Sequence, residues 1–254
     1  MIETRQPRIE AALDAVETER RILATEKRAF ESFRSRLSAL DSTVRTANAS
    51  LATAGGPSTV SDAGADDALR RVRTAYRETV MDVPHYESEY GEPLLAHLTA
   101  EFGSELAECL DAESRLTPLL HGGLVDAADR AADERRRFLS VLQRERESLE
   151  RVERDLDDCE RRAVELLDRI EATDESAALS RYDAELAELE RRCESLAADR
   201  QETIHDRSVA TLAGVDGASL ARYLYADVET TCPALADVSR CVETIRRARR
   251  RCLR

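Results

Sequence analysis

The sequence predicts an all-α fold: an elongated antiparallel helical bundle with a long coiled-coil hairpin and a small helical cap. Three observations lead there. A seven-residue apolar series runs through the first fifty residues. A second series, stepping alternately by four and three, fills two later arms that meet at one turn. The composition also disfavours sheets: of 254 residues 42% are hydrophobic and 35% charged, aromatics are 4% and Trp is absent, so large interdigitating side chains are scarce.

The first element, 1–53, carries Ile9, Val16, Leu23, Phe30, Leu37, Val44 and Leu51 at strict heptad spacing. Arg20, Lys27 and Arg34 make its middle polar, leaving a narrow stripe that needs long partners. Residues 54–67 lose every periodicity and include Gly55-Gly56-Pro57-Ser58, the text of a flexible linker. A short-helix region, 68–123, follows. Leu69, Val72 and Tyr76 share a helix face up to Pro84, and a single helix is expected from Glu92 to Leu110. Between them His85, Tyr86 and Tyr90 form the most aromatic stretch of the chain, a candidate partner surface. A brief turn of helix near Leu116 is expected to stop at Gly122-Gly123.

The hairpin is assigned to 124–213. Phe138, Leu142, Glu145, Leu149, Val152, Leu156, Cys159, Ala163, Leu166 and Ile170 form one seam, and Leu179, Tyr182, Leu186, Leu189, Cys193 and Leu196 the other. Folding back at Thr173-Asp174-Glu175-Ser176 sets Ile170 against Tyr182, Leu166 against Leu186, Cys159 against Cys193, and the polar intruder Glu145 against Arg207. That acid–base match is the expected register pair; Val152 facing Arg200 is the one blemish. At 1.5 Å per residue the first arm would be roughly 70 Å long. The segment 1–51 supplies a third seam of matching length, and pairing of hairpins between chains is the alternative. A C-terminal pad, 214–254, holds a short helix with Leu220, Tyr223 and Leu224 and a last helix opening at Cys232-Pro233.

Fifty-one acids oppose 38 bases for a formal charge of −13, and Lys27 is the only lysine. Acidity with Arg in place of Lys points to a GC-rich genome and a salt-loving cytoplasm. It argues against general affinity for nucleic acid or anionic lipid. No 18-residue apolar run and no leader pattern occurs in this stretch, so a cytoplasmic location with no membrane partner is expected.

Tyr223-Leu224-Tyr225-Ala226-Asp227 followed by Cys232-Pro233-Ala234-Leu235-Ala236, behind a lysine-poor heptad hairpin, resembles a family of halophilic archaeal proteins of unknown function. The resemblance covers nearly the whole chain and implies a helical, cytoplasmic protein. It carries no functional residue with it.

Candidate chemistry is sparse. The six cysteines lack C-x-x-C spacing, so no zinc knuckle is expected; Cys159 and Cys193 form a candidate thiol pair. Glu202 with His205, and His97 with Glu101, are single helical pairs, short of the ligand set a metal bundle needs. Arg246, Arg247, Arg249, Arg250, Arg251 and Arg254 form a candidate nucleic-acid contact, although arginines in a last helical turn also complement the helix dipole without a ligand. Nucleotide and hydrolase motifs are absent from the text. The expectation is therefore a non-enzymatic scaffold or adaptor, without cofactor, that binds a protein partner or a second copy of itself. A DNA-associated regulator using the arginines is the first alternative, and a metal- or redox-responsive bundle the second.

Overall fold

The structure, a computed structural model, describes residues 7–53, 62–112, 115–209 and 217–253, with side chains described over 7–40, 68–111, 115–204 and 220–253. These residues form nine helices and no strand: α1 (Pro7–Thr53), α2 (Asp62–Arg77), α3 (Tyr86–Glu89), α4 (Leu94–Phe102), α5 (Ser104–Ala112), α6 (Pro118–Glu171), α7 (Ser176–Val209), α8 (Gly217–Leu224) and α9 (Pro233–Cys252). No helix among the described residues is long and apolar enough to cross a membrane. The chain divides into two compact units, one of residues 1–20 and 140–254, the other of residues 21–139; α1 and α6 contribute to both.

In the 21–139 unit, α1 supplies Phe30, Phe33 and Leu37, α2 supplies Leu69, Val72 and Tyr76, and α4 supplies Leu98 and Phe102 to one core. Phe33 and Phe102 each meet Tyr76 edge-on, at centroid distances of 5.1 and 5.6 Å, within the range such ring pairs favour. α1 and α6 run antiparallel here, as the ion pairs Arg34–Asp129 and Arg135–Glu26 require. Arg73 donates through Nε and a terminal amino group to the Leu110 carbonyl at 3.1 and 2.5 Å, satisfying an acceptor that the end of α5 would otherwise leave open.

Two expectations are corrected in this unit. The single helix expected over 92–110 is broken into α4 and α5 at Gly103, whose φ of 89° is one that only glycine adopts readily. The helix expected to stop at Gly122-Gly123 instead passes straight through them. Thr117 Oγ accepts from the Leu120 amide at 3.2 Å and Pro118 opens α6, an N-terminal arrangement. Leu120, Leu124, Ala127, Ala128 and Ala131 are then buried, and that burial outweighs the cost of about 1 kcal/mol for each helical glycine. At Gly123 a Cβ would lie 3.0 Å from Leu106 Cδ2, so the missing side chain lets α5 approach.

In the other unit α6 and α7 fold back on each other through residues 172–175. Leu142, Leu149, Val152, Leu156, Cys159, Ala163, Leu166 and Ile170 are buried on α6, and Leu186, Leu189 and Cys193 on α7; Arg162 also bonds Glu185 across the pair. α9 buries Val238, Cys241, Ile245 and Ala248, and α8 buries Leu220 and Leu224. The start of α1 contributes Ile9, Ala12 and Val16. Its N-terminus is capped from α9: Asp237, fully buried, accepts from the amides of Arg8 and Ile9 at 3.2 and 3.0 Å, placing a carboxylate at the positive end of the helix dipole.

Candidate functional site

In each unit a buried glutamate gathers several side chains. In the 21–139 unit it is Glu26 of α1, only 6% exposed. Its Oε1 accepts from His85 Nε2 at 3.0 Å and from the Tyr90 hydroxyl at 2.8 Å, while Oε2 accepts from Arg135 Nε at 3.0 Å. Arg135 turns its other two nitrogens to Glu101 at 2.8 and 2.6 Å, the two-pronged geometry that guanidinium favours, and lies 4.8 Å from the centre of the Phe30 ring. Burial disfavours the Arg135 charge, but the bonds to Glu101 and Glu26 overcome it and raise its pKa. Burial likewise raises the Tyr90 phenol, with Glu26 adding to it, and raises Tyr76. Burial lowers His97, which is ringed by Tyr76, Tyr86 and Tyr90 and shares a 2.8 Å hydrogen bond with the Tyr76 hydroxyl through Nδ1. At neutral pH the Tyr76 and Tyr90 phenols and the His97 ring are therefore neutral, beside the Arg135 cation and the two carboxylates it bonds.

The three rings proposed as a partner surface therefore face inward. Tyr86 is buried and bonds the Glu92 carbonyl at 2.9 Å, and His85 and Tyr90 hold Glu26, while Glu87, Ser88 and Glu89 are exposed. His97 and Glu101 bond different partners, Tyr76 and Arg135. The side chain of His205 lies outside the described residues.

The other unit's hub is Glu145, which sits within the apolar seam. Arg200 bonds both of its oxygens, at 3.0 and 2.6 Å, and Ser148 Oγ at 2.8 Å; the Tyr225 hydroxyl also donates to Glu145. Arg200 and Glu145 are 4% and 3% exposed. The side chain of Arg207, the expected partner, lies outside the described residues. Arg200 is the residue that faced Val152 as a blemish in the register; a long side chain leaning along the seam carries its head group to the next polar level. The two polar seam residues, each unexplained alone, were the signal. A cleft of about 30 Å³ beside them, lined by Leu220, Leu224, Thr231 and Cys232, has room for about one water.

The cysteines are free. Cys159 and Cys193 are neighbours across the hairpin, and a third buried thiol, Cys241 of α9, lies with its sulfur 3.7 Å from that of Cys193. Spacing along the chain could not reveal the third member, because the docking of α9 brings it in. Among the described residues no group of three His, Cys, Asp or Glu side chains could hold a metal ion.

Two of the terminal arginines, Arg246 and Arg249, bond α7, and Arg251 bonds the end of α6. Arg246 bonds Glu190 at 2.5 Å; Arg249 bonds Asp183 at 2.9 Å and Glu190 at 2.8 Å; Arg251 pairs with Glu171. The bonds from Arg246 and Arg249 hold Glu190 below the usual carboxylate range. Arg247 leans on its own helix, bonding the Glu243 carbonyl and Thr244 Oγ at 3.4 Å. Arg250 is exposed, and Arg254 lies outside the described residues.

No curated protein and no solved structure matches the chain. A family model does, over nearly its whole length: the chain belongs to the DUF7260 family, a domain of unknown function, through residues 7–249.

Proposed function

We propose that this protein is a non-enzymatic helical scaffold or adaptor of a halophilic cytoplasm, binding a protein partner or a second copy of itself. The observation that carries this reading is the use made of buried charge. Glu26, Glu101, Arg135, Glu145, Arg200 and Asp237 are each engaged by partners that fix one helix to another, the role expected of structural rather than reacting groups. Nucleic acid is the less supported partner, because Arg246, Arg249 and Arg251 neutralise acids of their own chain, and affinity built on phosphate contacts falls steeply in salt. A surface for a partner then consists of the charged outer helix faces together with exposed apolar residues such as Leu95 and Leu119.

The test is sedimentation and chemical cross-linking of the full chain in molar KCl, alone and with extract, using Leu95→Glu and Leu119→Glu as controls of unchanged helicity. Self-association, or capture of one partner reproducibly lost in either variant, supports the proposal. A monomer whose captured set is the same in all three proteins overturns it. Retention of DNA on a filter at molar KCl would instead favour the DNA-associated reading.

A further inference from the structure

Cys159, Cys193 and Cys241 come from α6, α7 and α9, and all three are at most 1% exposed. Cys193 is the middle member: it donates its S–H to Cys241 across 3.7 Å and also contacts Cys159. Three thiols on three helices of one unit, with one shared, offer two alternative disulfides from the same sulfur. We propose that this cluster is a redox clasp in which peroxide joins Cys193 to Cys241, tying α9 to α7, with Cys159 able to take the place of Cys241.

The chemistry balances with hydrogen peroxide as oxidant. The sulfur of Cys241, as thiolate, attacks one peroxide oxygen; the O–O bond breaks, and the departing hydroxide takes up the thiol proton as water. The resulting sulfenic acid is attacked by Cys193, forming the S–S bond and releasing a second water. Two thiols and one peroxide thus give one disulfide and two waters. Attack of Cys159 on the Cys193 sulfur then breaks the first disulfide, forms the second and frees Cys241 as thiolate.

Access sets the rate. The hydrogen bond to Cys193, with burial, raises the Cys159 thiol. At Cys193 the bond to Cys159 acts downward, but the bond to Cys241 and burial act upward and push its pKa to about 12, so thiolate forms only when the seam opens. The lid is α9, held to α7 by Arg246 and Arg249 on Glu190 and Asp183. Weakening that hold should therefore speed oxidation.

The full chain is exposed to hydrogen peroxide at low protein concentration, alkylated, and mapped by peptide mass spectrometry without reduction. The expected product is an intramolecular species lighter by two hydrogens, with the Cys193–Cys241 linkage and a Tm raised by about 5 °C. Cys241→Ala should move the linkage to Cys159–Cys193, and Arg249→Ala should form the disulfide about fivefold faster through easier opening of α9. Oxidised wild-type protein whose disulfides involve only Cys109, Cys232 or Cys252 overturns the proposal. So does native-like protein whose three buried thiols stay free while the exposed Cys109 is oxidised. These readings on wild-type protein decide the matter even if a core variant fails to fold.

Discussion

The two units answer one problem differently. Both receive part of α1 and part of α6, and both bury a carboxylate within a helical seam, Glu26 in one and Glu145 in the other. The 21–139 unit holds seven of the ten Phe and Tyr residues and gathers its short helices around rings. Its carboxylate is shared among His85, Tyr90 and Arg135, and Arg135 has a second acid, Glu101, to itself on two nitrogens. The other unit packs small and aliphatic side chains in a zipper, and Arg200 bonds both oxygens of Glu145, with the Tyr225 hydroxyl donating to the same carboxylate. The first network spreads one guanidinium over two acids and two further donors, whereas the second concentrates on one two-pronged charge pair, whose loss of either member is the more costly.

The largest effect is expected where that contrast is sharpest. Arg200→Ala should lower the unfolding free energy by about 3–5 kcal/mol, by removing the two-pronged partner of a carboxylate buried in the seam, whereas Glu145→Leu with Arg200→Met should recover at least half of the loss. Urea titration of the three proteins measures both. Glu26→Gln should cost about 1–2 kcal/mol, since the amide oxygen still accepts and Arg135 keeps Glu101. A loss equal to that of Arg200→Ala would erase the distinction between the units.

A smaller effect is expected where α9 meets α7 in the hairpin unit. Glu190 is depressed by Arg246 and Arg249, so its ionised form stabilises the fold. That contribution is complete above the ordinary carboxylate range, and is lost as pH falls through the depressed value. The stability gap between wild type and Glu190→Gln should therefore close as pH drops below about 5, and should narrow in molar KCl. Persistence of the gap in strong acid would assign it to packing. The smallest effect tests the helix that crosses two glycines: Gly122→Ala, which meets open space, should add about 0.5–1 kcal/mol, while Gly123→Ala should gain less or lose, because Leu106 must move. Thermal melts resolve the pair.

Much of the hairpin unit was legible before any coordinates. The seam from Leu142 to Ile170 is buried almost residue for residue, because period-3.5 burial leaves an unambiguous mark on a chain with few large apolar residues. The pairing of Cys159 with Cys193 followed from the same phase. The break at Gly103 and the continuity through Gly122-Gly123 were not legible: glycine licenses both a positive φ and a close helix approach, and the sequence does not say which is needed. Nor could the inward turn of His85, Tyr86 and Tyr90 be read, since an aromatic loop looks the same whether its rings meet a partner or their own core.

The sequence by itself determined the helical class, the chain reversal near Ser176 and the stripe each long helix buries, because these depend on residue spacing along one helix and on composition. Tertiary structure alone decided that Arg200 serves Glu145, that Arg135 joins Glu26 to Glu101, that Asp237 caps α1, that Cys241 joins two other thiols, and that Arg246 and Arg249 bond α7. Those contacts link side chains distant in sequence, often at the reach of a long flexible head group, and periodicity constrains where a backbone lies far more tightly than where an arginine ends.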